Sequence, residues 1–126
     1  MIQTVLGIVN SELQNIGVPY EFMRWTSTVD GAYFIGEYSE VPTIAEDGYK
    51  EINLMLTGTT RNSWLELEEY RAKIESHFPS VYGLRKQTDK GAMAIFYENA
   101  FPVPTGEADL KRIQINLLIK SWKGLI

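Results

Sequence analysis

Ser63-Trp64-Leu65-Glu66-Leu67-Glu68-Glu69-Tyr70-Arg71-Ala72-Lys73-Ile74-Glu75-Ser76-His77-Phe78-Pro79 is the stretch on which the fold turns. Leu67, Tyr70, Ile74 and Phe78 recur at three- and four-residue steps, which puts them on one face of a helix. Ser63 is a favoured N-cap. Glu66 stands three residues on, the spacing at which the two side chains satisfy backbone N–H groups reciprocally. Glu69 and Lys73 are one turn apart and can pair. Pro79 stops the helix. Patterns of period two flank it on both sides. In Tyr49 to Gly58, Ile52, Leu54 and Leu56 alternate with Glu51, Asn53, Met55 and Thr57, as in a strand with one face on a core. In Asp109 to Lys123, Ile113, Ile115, Leu117 and Ile119 oppose Arg112, Gln114, Asn116, Leu118, Lys120 and Trp122. That run exceeds the usual strand length, so part of it is expected to project beyond the sheet or bend.

The remaining elements follow outward from this centre. Ile2, Val5, Val9, Leu13 and Ile16 keep helical spacing against Gln3, Gly7, Asn10 and Gln14, with Gly17 at a C-cap position and Pro19 beyond it. Pro19 to Thr28 reads as a strand, Asp30-Gly31 as a tight hairpin turn, and Ala32 to Val41 as the return strand. A second turn signal, Asp47-Gly48, precedes the Tyr49 strand, so three antiparallel strands in a meander are expected. Ala92 to Asn99 reads as a short two-sided strand. Phe101 to Gly106 carries two prolines that lack N–H donors, and regular pairing is not expected there. Tyr82 to Gly91 reads as a loop with room for a short extra strand at Leu84 to Gln87. The order α-β-β-β-α-β-β predicts one α+β domain over residues 1–126, an antiparallel or mixed β-sheet with two helices packed on one face.

Composition narrows the function. The chain has 126 residues, 44% of them hydrophobic and 12% aromatic. Folding at this size buries roughly two-thirds of the unfolded surface, and such an aromatic content excludes a disordered chain. There is no cysteine, hence no disulfide framework or zinc–thiolate site, which fits a reducing compartment. No apolar run approaches the ~20 residues of a membrane-spanning helix, and the N-terminus lacks a signal-peptide pattern. A net charge of −4 disfavours backbone binding to nucleic acid, which wants a basic stripe.

Catalytic patterns are weak. His77 is the only histidine, in the last turn of its helix, where its charged form suits the helix dipole. One histidine without cysteine offers neither a triad nor a tetrahedral metal set. The carboxylate groups Glu46-Asp47, Glu66 with Glu68 and Glu69, and Glu107 with Asp109 read as solvated charge rather than a converging acid–base pair. No glycine-rich phosphate loop or nucleophile elbow is present. No catalytic, cofactor-binding or metal-binding residue is therefore expected, and no titratable cluster converging in a pocket. Aromatics on both faces of the strands, Tyr33 with Phe34 and Phe96 with Tyr97, imply that some are exposed. A protein-contact surface, a closed barrel and a partly covered second face all account for this. Arg85, Lys86, Asp89 and Lys90 in the Tyr82 to Gly91 stretch, with Phe101 and Val103 near the prolines, are the candidate interface residues.

Arg24-Trp25, Val29-Asp30-Gly31, Tyr33-Phe34-Ile35-Gly36-Glu37-Tyr38, the capped helix from Ser63, Ala94-Ile95-Phe96-Tyr97-Glu98, Pro102-Val103-Pro104 and Ile113-Gln114-Ile115-Asn116-Leu117 carry a resemblance. In these blocks, and in length and element order, the chain resembles the tail terminator or tail-completion proteins of long-tailed bacteriophages and prophages. That resemblance implies a structural virion protein rather than an enzyme. It implies a homo-oligomeric ring, usually a hexamer, that caps the tail tube, ends its polymerisation and meets the head-completion (connector) protein. The implied partners are the major tail tube protein and that connector, with DNA only passing through the lumen and no membrane. The implied location is the virion, at the head–tail joint, after assembly in the host cytoplasm. A protein-interaction module outside phages and a small-molecule-binding α+β domain are the alternatives from other classes.

Overall fold

β3 (Tyr49–Thr60) pairs antiparallel over its whole length with β6 (Lys111–Lys123), from Tyr49 opposite Trp122 to Thr60 opposite Lys111. This register sets Ile52, Leu54 and Leu56 against Ile119, Leu117 and Ile115, and all six are buried. The alternation read from the sequence is thus the core face of the two central strands. The structure, a computed structural model, describes residues 2–23, 31–41 and 49–123.

Around this pair the chain adds α1 (Ile2–Asn15), β1 (Tyr20–Phe22), β2 (Tyr33–Val41), α2 (Trp64–His77), β4 (Leu84–Thr88) and β5 (Gly91–Pro102). The strands form one sheet in the order β1-β2-β3-β6-β5-β4. Val5, Val9 and Leu13 of α1 and Leu67 and Ile74 of α2, with Phe78 just past its end, join one core with the inner face of the sheet. Two helices thus cover one face of a mixed sheet, the α+β class expected. Each such apolar side chain taken out of water stabilises the fold by about 1.5–3 kcal/mol before entropy is charged against it. α1 ends as its sequence implies. Gly17 takes φ 81°, its N–H donates to Gln14 O at 3.0 Å, and Val18 N–H donates to Leu13 O at 3.0 Å. That pattern is a Schellman cap, which favours glycine because the left-handed backbone crowds a Cβ.

Several expectations are corrected. β1 has three residues, not ten, and pairs parallel with β2, Tyr20 beside Phe34. Parallel neighbours are not consecutive strands of a meander, so the three-stranded antiparallel meander expected from Pro19 onward is replaced by one parallel and one antiparallel pairing. Phe34 N–H donates to Pro19 O and Met23 N–H to Gly36 O, and Met23 at φ 72° leaves the extended region at the strand's end. Arg24 to Asp30 and Asp47-Gly48 lie outside the described residues.

β5 is longer than expected and runs into the proline segment. Phe101 and Pro102 pair with Gln114 and Ile113, and Val103 N–H still reaches Arg112 O at 2.9 Å. Pairing tolerates Pro102 because β4 covers only Gly91 to Ile95, which leaves the distal half of β5 as an edge. β6 does not project, since β3 pairs with Lys111 to Trp122 and β5 with Ile113 to Lys123. At α2, Ser63 is the N-cap with extended backbone but makes no side-chain cap bond. Glu66 instead accepts from Thr60 Oγ1 at 2.6 Å, a closer donor at the end of β3. Glu69 and Lys73 form no ion pair; the Lys73 ammonium lies 5.4 Å over the Tyr70 ring.

Candidate interaction surface

The short extra strand expected at Leu84 to Gln87 is present as β4, and with β5 it makes the stretch from Leu84 a tight hairpin rather than a loop. β4 and β5 are joined by Asp89 and Lys90 alone, with Thr88 Oγ1 accepting from Lys90 N–H at 3.1 Å and donating to Gly91 O at 2.9 Å. Strand alternation then separates the two adjacent basic residues. Arg85 lies opposite Ala94 and shares the outer face, away from the helices, whereas Lys86 lies opposite Met93 on the helix face.

Lys86 is committed there. Its Nζ is 3.3 Å from Glu12 Oε2, and His77 Nε2 is 2.8 Å from Glu12 Oε1. Glu12 is only 8% exposed, in the last turn and a half of α1. A carboxylate only accepts, so His77 donates through Nε2–H. That bond, then the Lys86 contact, outweighs burial and holds the Glu12 carboxyl below the usual glutamate range. Three titratable side chains therefore meet here, between packed elements rather than in a pocket. They tie α1 to the end of α2 and to β4, with one oxygen of Glu12 on each partner. The dipole role expected of His77 becomes a role as a donor to Glu12. Sequence reading missed Glu12 because it occupies a position next to the apolar stripe of α1; its adjacency to Leu13 was the available signal.

Phe101 and Val103 sit elsewhere. Phe101 is 44% exposed on the outer face, opposite Gln114, and Val103 is half-buried just past β5. Along β5, Phe101 lies about 20 Å from the Arg85–Ala94 pair. The structure thus does not unite the two candidate segments. It assembles another group on the outer face instead. Tyr49 and Trp122 rings are 5.6 Å apart, and Lys120 Nζ lies 5.3 Å from the Tyr49 ring and 5.7 Å from Phe96. A shallow hollow of about 590 Å³ beside it is lined by Arg85, Gln87, Ala92, Ala94, Phe96 and Trp122, among others. Of these, Phe96 is one of the aromatics expected to include exposed members, Tyr49 and Trp122 join it, and the sheet of described strands is open rather than closed into a barrel.

The acidic pairs behave as solvated charge where they are described. Glu107 and Asp109 both face Arg61, at 3.4 and 2.7 Å, with all three side chains more than half exposed. Arg71 spans Glu68 and Glu75 along α2. Among the described residues no three His, Cys, Asp or Glu side chains are placed to hold one metal ion. No helix among them is long and apolar enough to cross a membrane.

No protein-family model matches the chain, and no curated protein matches it. Solved structures do. One is a chain in the virion of a native gene transfer agent (GTA) particle, 12% identical, with a TM-score of 0.67 over 90% of this chain and 84% of that one. A second solved chain is 14% identical, with a TM-score of 0.61 over 93% of this chain and 89% of its own length. At such identities the likeness establishes a shared fold, nearly complete in both chains.

Proposed function

We propose that this chain is a structural protein of a phage-type virion that caps the tail tube. In this reading it ends tube polymerisation, forms a ring of six copies and meets the head connector, with DNA passing through the lumen. It works in the virion after assembly in the host cytoplasm, and it has no catalytic role. The observation that carries the reading is the near-full-length fold match to a chain of the gene transfer agent virion. The blocks around Tyr33 to Tyr38, Ala94 to Glu98 and Ile113 to Leu117 support it independently, through their resemblance to tail terminators. The outer face, with Trp122, Phe96 and Tyr49 half-buried rather than covered, fits a subunit whose burial is completed in an assembly.

Deleting the gene from the genome that carries it tests the reading. Capping predicts overlong tubes and heads without tails in electron micrographs, both rescued by supplying the chain in trans. Tubes of normal length joined to heads would refute it.

A further inference from the structure

The two edges of the sheet carry opposite charge. Glu37 to Val41 of β2 pair with β3 on one side, but on the other side β1 covers only Phe34 to Gly36 and no described strand continues it. Phe34 N–H and Gly36 C=O point toward β1, so by alternation the backbone groups of Tyr38 and Glu40 face the same open side. This edge displays Glu37 and Glu40, both exposed and neither in an ion pair among the described residues. The opposite edge is β4 with its turn, which displays Arg85 and Lys90 against the single Asp89, while Lys86 turns to Glu12 on the helix face.

We propose that the β4 edge of one copy docks on the Glu37–Val41 edge of the next, continuing the sheet from subunit to subunit. Charges on edge strands commonly serve only to block pairing. Here their segregation does more: acidic edges repel each other, basic edges repel each other, and only unlike edges attract. That selects a head-to-tail contact, the kind that closes into a ring when the rotation permits, over a two-fold dimer. Direction agrees. Four antiparallel pairings separate β2 from β4, so the two strands run the same way, and a rotation about an axis along them lays β4 parallel to the neighbour's β2. With Glu37 beside Arg85 on the outer face, Ser39 falls beside Gln87 on that same face.

This contact deepens the ring reading given above, and its test is separate from gene deletion. The chain has no cysteine, so a variant with Ser39→Cys and Gln87→Cys carries one thiol on each edge. Mild oxidation is expected to give covalent ladders of three or more copies on a non-reducing gel, whereas either cysteine alone gives dimers at most. Glu37→Lys with Glu40→Lys, or Arg85→Glu with Lys90→Glu, is expected to lower ladder yield about tenfold or more, and all four together to restore it. Lys86 is left intact because Glu12 needs it. Circular dichroism checks that each variant folds. Absence of ladders, or ladders indifferent to charge reversal, overturns the edge contact. Ladders in a chain whose deletion leaves tubes normal would keep the contact and remove the capping role.

Discussion

Glu12→Gln is the sharpest probe of how this fold is held together. The substitution keeps the size of the side chain and an oxygen that can accept from His77, while it removes the charge. A hydrogen bond to a charged partner contributes about 1.5–3 kcal/mol, roughly twice a neutral one. The Lys86 contribution is smaller, about 0–1 kcal/mol, because its side chain is 40% exposed and water screens the pair. The expected loss at neutral pH is therefore about 1–2 kcal/mol. With a urea dependence of about 2 kcal/mol per molar for a domain of this size, the unfolding midpoint falls by about 0.5–1 M. The pH dependence gives a second reading. Folding lowers the Glu12 pKa, so its stabilisation is fully present above the ordinary glutamate value and is lost as pH falls through the lowered one. The gap between wild type and variant should then close on acidification. Equal midpoints at pH 7, or a gap that persists unchanged in acid, would refute the clamp. By the same reasoning Lys86→Glu sets two carboxylates together, so a triple charge reversal of Arg85, Lys86 and Lys90 is expected to lower stability more than reversal of Arg85 and Lys90 alone.

Ile74 is completely buried between α2 and the sheet; Ile74→Ala is expected to cost about 2–5 kcal/mol in chemical unfolding, and a loss under 1 kcal/mol would mean the α2 face is misassigned. Gly58 lies against the Phe34 ring across the β2–β3 pair. Gly58→Ala should cost about 1–3 kcal/mol through overpacking, part of it recovered by adding Phe34→Leu, as read by thermal unfolding. Burial pushes the Tyr20 hydroxyl up to about 12. The neutral form is favoured in the fold, so this stabilisation is whole below the ordinary tyrosine range and lost as pH climbs toward the folded value. An alkaline absorbance titration should show one tyrosine ionising late, and Tyr20→Phe should remove it and flatten the alkaline loss of stability.

Much of the architecture was legible because the central strands carry their own period. Ile52 to Leu56 and Ile113 to Ile119 alternate so regularly that only one register buries both sets, and α2 shows its stripe between them. The edges were harder to read. Tyr20 to Phe22 is too short to show a direction, and an Asp-Gly pair signals a hairpin only when the chain before it pairs antiparallel. Whether β1 runs parallel is decided by where Pro19 O and Gly36 O find donors, which is tertiary information. Phe101-Pro102 looked incompatible with pairing because prolines exclude central strands. That rule lapses at an edge, and the edge exists only because β4 stops opposite Ile95.

The functional surface was harder still, for a geometric reason visible in Arg85-Lys86. Two adjacent basic residues read as one patch on a loop, but on a strand they face opposite ways. Lys86 turns inward to Glu12 and so fastens β4 to α1 and, through His77, to the end of α2. Arg85 is left outward beside the hollow formed with Phe96 and Trp122. A bare edge strand would pay ordering entropy on meeting a partner; one already pinned from its inner face pays less. The clamp and the proposed docking edge are thus two faces of a single five-residue strand. Loosening the first by Glu12→Gln should therefore weaken ladder formation through the second even where the fold survives, although no residue of the docking edge has been changed.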